Sequence, residues 1–63
     1  MKYESGDIVK HKERPEEDTF VVVFSKDNNT PSMPYVMPGY DYVIQKLFSG
    51  APSFDVHEAD LYQ

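Results

Sequence analysis

His57-Glu58, flanked by Asp55 and Asp60, is the densest run of chemically capable side chains in this sequence. An imidazole and carboxylates at such close spacing could ligate a divalent metal, or set a base beside a carboxylate. The second histidine, His11, lies far off in the charged run Lys10-His11-Lys12-Glu13-Arg14. No HExxH or other spaced ligand motif joins the two, so both histidines are expected to be exposed polar residues. Asp27-Asn28-Asn29 has the residue types of a calcium loop, but the glycine and terminal glutamate do not follow at the required offsets. No metal and no other cofactor is expected. Ser5, Ser25, Ser32, Ser49 and Ser53 all fall in turn-like surroundings, where a hydroxyl serves the backbone. The three glycines are too scattered to cradle a phosphate. A chain of 63 residues also has little room for the concave pocket of roughly 300 Å³ or more that substrates occupy. The expectation is a protein that is not an enzyme.

Stacking and charge suggest a different chemistry. Five tyrosines and four phenylalanines could stack on bases, and Lys2, Lys10, Lys12 and Arg14 cluster near the start of the chain. The same segment carries Glu4, Asp7, Glu13, Glu16, Glu17 and Asp18, and the net charge is −5. Backbone affinity for nucleic acid needs lysine and arginine to neutralise several phosphates. Interleaved acids work against that, so nucleic-acid binding through Lys10, Lys12 and Arg14 is kept as the alternative reading.

The side chains best suited to contact another protein sit in and beside TPSMPYVMPG, Thr30 to Gly39, which holds three of the five prolines and two of the three methionines. Met33, Tyr35, Met37, Tyr40 and Tyr42 offer the large amphipathic or adaptable area that interface cores favour. Proline lowers the entropy lost when such groups are presented to a partner. The competing role for Met33, Val36 and Met37 is to cover an open end of the fold. Pro31-Ser32-Met33-Pro34 has the form of a polyproline ligand but lacks a basic anchor beside it. An acidic chain associates fastest with a basic surface, so a protein partner with a basic patch is expected, and a homodimer is a further option.

Those residues need a scaffold. Sixty-three residues make one domain, residues 1–63, with a thin stability margin. There is no cysteine, hence no disulfide. The first residues show no apolar leader, and the longest apolar run, Phe20 to Phe24, is far too short to span a membrane. A cytoplasmic location with no membrane partner is the default.

Strand material dominates. The Gly6-Asp7 turn launches a strand over Asp7 to Lys12, with Ile8 as its expected core member. TFVVVFS, Thr19 to Ser25, is the strongest strand, with Phe20, Val22 and Phe24 on one face and Val21 and Val23 on the other. Tyr40 to Phe48 reads as the central strand, with Tyr40, Tyr42, Ile44, Lys46 and Phe48 sharing a side. Ser49 to Ser53 suits a hairpin turn, Phe54 to His57 a short edge strand, and Glu58-Ala59-Asp60 one helical turn before Leu61 and Tyr62 return to the body. The sum is all-β, a small barrel or strongly curled antiparallel sheet of four or five short strands. An α+β arrangement, with a helix over Pro15 to Asp18 or at the C-terminus, is the competing assignment.

Gly6-Asp7-Ile8-Val9-Lys10 resembles the opening of many small SH3-like barrels, and Phe54-x-Val56-x-x-x-x-Leu61 resembles their last segment. The order in between is similar to small bacterial and bacteriophage proteins of that type, including uncharacterised ones that carry little beyond the barrel. The resemblance implies an SH3-like barrel and a non-catalytic interaction module, such as a phage-encoded or accessory modulator of a host protein. The long Thr30 to Pro38 connection departs from a minimal barrel, which would turn tightly there.

Overall fold

The computed structural model describes all 63 residues as five short antiparallel strands and two 3₁₀ turns. In chain order they are β1 (Ile8–His11), β2 (Phe20–Ser25), a turn at Lys26–Asn28, β3 (Tyr42–Lys46), β4 (Phe54–Val56), a turn at Glu58–Asp60 and β5 (Leu61–Tyr62). They form one sheet in the order β4-β3-β2-β1-β5, strongly curled into a half-barrel of SH3-like form. The fold is all-β, and Pro15 to Asp18 makes one tight turn, closed by the Asp18 N–H on the Pro15 carbonyl, instead of a helix. No helix is long and apolar enough to cross a membrane.

Turn chemistry sets the register of β1. In Glu4-Ser5-Gly6-Asp7 the Asp7 N–H reaches the Glu4 carbonyl, and Gly6 takes φ +95°, which only glycine adopts without strain. The Asp7 carboxylate accepts the Glu4 N–H at 2.9 Å and closes the turn. Pairing with β2 then sets Val9 opposite Phe20, both 1% exposed. Ile8, the expected core member, is 47% exposed instead. The strand is where the sequence places it, but neighbouring side chains point to opposite faces, so choosing Ile8 over Val9 selects the wrong side.

The inner face holds one cluster: Tyr3, Val9, Phe20, Val22, Tyr42, Ile44, Val56 and Leu61, with Phe54 packed at its margin. Phe20 meets Phe54 edge to face, centroids 5.9 Å apart. Tyr3, which precedes every strand and was absent from the expected core, packs edge-on against Tyr42 at 5.7 Å. A β-bulge divides β2. Val22 opposes Ile44 and Phe24 opposes Val43, so Val23 is the extra residue. The inward alternation therefore breaks after Val22. Ser25, expected in a turn, becomes the next inward residue and is buried opposite Tyr42. Phe24, expected beside Phe20 and Val22, moves to the outer face with Val43.

The central strand is shorter than the expected Tyr40 to Phe48. It starts after a turn in which the Tyr40 N–H reaches the Met37 carbonyl, with Pro38 second and Gly39 third at φ +91°. It stops where Phe48 takes φ +55°. β4 likewise ends at Val56, one residue before the expected His57.

Candidate functional site

The Thr30 to Gly39 connection is held in one shape from below. Asn29 clasps it at both ends of one amide group: its Nδ2 donates to the Val36 carbonyl at 2.9 Å, and its Oδ1 accepts the Val36 N–H at 2.8 Å. Thr30 and Met33 exchange backbone hydrogen bonds across Pro31-Ser32, and the Thr30 hydroxyl accepts the Met33 N–H at 3.0 Å. The Tyr35 N–H adds a bond to the Met33 carbonyl. Val36 is the inward residue, 1% exposed, and Tyr35 stacks on Phe24 with centroids 4.5 Å apart. Since Phe24 lies on the outer face, the Tyr35 stack lays the loop against that side of β2. Val36 and Val43 are buried outside the main cluster.

The remaining apolar groups face solvent. Met33 is 53% and Met37 58% exposed, and Tyr35 and Tyr40 keep about two-fifths of their surface in water. So the covering role falls to Val36 alone, and the two methionines project. From Thr30 to Tyr40 the chain contains no charged residue, the composition that sets interface cores apart from ordinary surface. Tyr40 is steadied by stacking on His57, centroids 4.7 Å apart.

Tyr42, expected among the contact residues, is buried and belongs to the core. Its ring is fully buried, and its hydroxyl ties three segments together. It accepts the Tyr3 N–H at 3.0 Å and donates to Glu58 Oε1 at 2.7 Å, which also accepts the Lys2 N–H at 3.0 Å. Burial, then the hydrogen bond to the Glu58 carboxylate, push the phenol up to about 12. The bond from Tyr42 and then that from Lys2 hold the Glu58 carboxyl below its usual range. Asp41 continues the network, its Oδ2 accepting the Glu58 N–H at 2.7 Å and its Oδ1 pairing with Lys26 at 3.0 Å. The Glu58 bond, then Lys26, lower its pKa. Alternation along β3 put Tyr42 and Tyr40 on one side. The turn ending at Tyr40 separates them.

Of the acidic and imidazole groups, Glu58 and His11 serve local structure. Glu58 is engaged by Tyr42 and Lys2, and no three His, Cys, Asp or Glu side chains converge closely enough to hold a metal ion. His57 is exposed, but His11 is buried, contrary to expectation. Its Nδ1 accepts the Glu13 N–H at 3.1 Å, and its ring lies 6.4 Å from Phe54. Three open surface clefts of about 330–370 Å³ exist, larger than the chain length suggests. One gathers His11, His57, Arg14, Asp55 and Asp60 beside Tyr40.

The basic residues of the alternative reading are dispersed in their tasks. Lys10 donates to the Glu16 carbonyl, Lys12 is exposed, and the Arg14 guanidinium sits 5.1 Å over the Phe54 ring. Comparisons with protein-family models, with curated proteins and with solved structures give no significant match.

Proposed function

We propose that the protein is a small non-catalytic interaction module that recognises another protein through the outward face of its proline-rich loop, Met33, Tyr35, Met37 and Tyr40. One observation carries this reading: the loop is pinned by Asn29, Val36 and Tyr35, yet its two methionines remain more than half exposed. Ordering a segment costs about 1–2 kcal/mol per residue in backbone entropy. A loop already ordered in the free protein does not lose that entropy on binding, which favours affinity. A partner with a basic patch fits the charge of −5, since complementary potentials speed encounter. The likeness to small SH3-like barrels of bacteria and bacteriophages suits a cytoplasmic accessory role.

The double variant Met33→Ser/Met37→Ser tests it. Both side chains project, so circular dichroism and Tm should stay near those of the parent. Recovery of a specific partner from cell extract, quantified by mass spectrometry, should fall about tenfold. An unchanged partner set would overturn the reading. So would tight, salt-sensitive binding of oligonucleotides in anisotropy titrations, abolished by neutralising Lys10, Lys12 and Arg14.

A further inference from the structure

The β3–β4 hairpin carries a feature that neither packing nor the loop surface explains. Phe48 takes φ +55° at its tip, and its side chain is fully exposed at 104%. A bulky residue in left-handed backbone is an outlier, costing roughly 1–2 kcal/mol, where glycine or asparagine would sit without strain. Leaving a phenyl ring in water forgoes a further 1.5–3 kcal/mol or so of burial. A fold selecting only for its own stability would place neither there.

Lys46 and Ala51, two and three residues from Phe48 in the chain, help line a cleft of about 370 Å³ with Phe20, Phe54, Pro52, Ser53 and Arg14, more apolar than polar in its lining. A cavity of roughly 150 Å³ suffices for a benzene ring, so the cleft has room for a phenyl group. Phe48 does not fill it, being wholly in solvent. The projection and five of the cleft's seven lining residues, Lys46 and Ala51 to Phe54, belong to one short hairpin, with Arg14 and Phe20 completing the cleft. An isologous two-fold contact requires such a patch, complementary to itself.

We propose that two copies of this chain pair about a two-fold axis at the β3–β4 hairpin, each Phe48 entering the partner copy's cleft. Charge opposes pairing least at this site. Two chains of −5 repel, but Lys46 to Phe54 contains no acidic residue, and Lys46 is neutralised by Asp18 at 3.3 Å. Of the loop face Met33, Tyr35, Met37 and Tyr40, only Tyr40 lines a cleft. That cleft is mostly polar, shared with His11, Glu13, Arg14, Asp55, His57 and Asp60, so it is a poor receptacle for an apolar projection. A stable contact of about 1,000 Å² asks roughly 500 Å² of each copy, a modest part of its 4229 Å² surface. The dimer should be weak, in the micromolar range or above. Repulsion between like charges means that added salt tightens it, whereas binding of a basic partner through the loop weakens with salt.

Sedimentation equilibrium of the purified chain, from micromolar to millimolar at low and high salt, tests this. The parent should self-associate to a dimer, more strongly at high salt. Phe48→Gly should raise the dimer Kd about thirtyfold or more, while its monomer keeps or gains Tm because the strain is relieved. Ala51→Glu, on the exposed cleft wall, should abolish the dimer as well. Mixing the two variants restores one ring-and-cleft pair of two, so heterodimers should form where neither variant pairs alone. A parent monomeric at every concentration, a dimer Kd unchanged in Phe48→Gly, or the absence of heterodimers in the mixture would overturn the proposal. Met33→Ser/Met37→Ser leaves the hairpin untouched and should dimerise like the parent, so failure of the loop reading and failure of this one are separable.

Discussion

The two faces of the curled sheet solve the same problem by different means. The inner face buries eight side chains from all five strands and the N-terminal segment, and needs little beyond shape and hydrophobicity. The outer face has no second layer. It is covered at β2 by a ten-residue excursion that contributes one buried valine and one stacked tyrosine and is clasped by Asn29 before it. A domain this small cannot afford two full cores. The outer cover is therefore thin, and its surplus apolar groups face outward. The inner face supplies stability, and the outer face presents side chains.

Replacing one aromatic residue on each face breaks the comparison most severely. Phe20→Ala removes a ring at the centre of the inner cluster and should cost about 3–5 kcal/mol. Total stability at this length is only about 3–9 kcal/mol, so the variant should lose a third of it or more, with a denaturation midpoint far below the parent's or no folded baseline at all. Tyr35→Ala loses a half-exposed stack and should cost about 0.5–1.5 kcal/mol, leaving a cooperative transition. If the two losses come out equal, the outer cover is as much core as the inner cluster, and the division of labour fails.

Asn29→Ala sharpens the same contrast at lower cost. It removes both hydrogen bonds to Val36 and leaves a buried backbone N–H and C=O without that partner. The expected loss is about 1–3 kcal/mol. Hydrogen exchange should distinguish where it falls. The Val36 amide should lose protection by an order of magnitude or more, while the strand amides follow only the drop in global stability. Equal loss everywhere would mean that the loop and the sheet open as one unit.

The elements were largely legible because their signals are local. Glycine at positive φ, proline turns and β-branched runs mark β1, β2, β4 and the final turn within a residue or two of their positions. The faces were less legible because they depend on pairing partners distant in sequence. Val23 carries no mark as a bulge residue, yet it sends Phe24 outward and Ser25 inward. Ile8 and Val9 are equivalent until Phe20 selects one of them. Of the expected contact residues, Met33, Tyr35 and Met37 lie partly exposed on the loop and Tyr40 at the turn that closes it, whereas Tyr42 was indistinguishable from Tyr40 without knowing where the strand begins. Asn29 looked like a plain turn residue. Its role as a clasp requires Val36 to return to it seven residues later.

Titration offers the gentlest test, because ionisable groups serve the two faces unequally. The Tyr42 phenol is raised from 10.0 to about 12 by burial and by the Glu58 carboxylate. A folded-state pKa above the unfolded one means that the contribution is complete below pH 10.0 and is lost as pH rises through about 12. Asp41 and Glu58 run the other way. Their carboxyls are held below the ordinary 3.8 and 4.5, so their contributions are present above those values and fade as pH falls beneath them. Melting temperature should therefore decline on both the alkaline and the acid side. In Tyr42→Phe the alkaline decline should shrink, and in Asp41→Asn part of the acid one. The clasp on the outer face uses an amide and a backbone, neither of which titrates in this range. Alkali removes the proton that Tyr42 donates to Glu58 and sets two negative charges together. The Lys2 amide, bonded to the same Glu58 oxygen, should therefore exchange faster relative to its intrinsic rate before the Val36 amide does. Simultaneous loss of protection at the two sites, or an alkaline decline unchanged in Tyr42→Phe, would show that the phenol is not the group joining the N-terminal segment to the inner face.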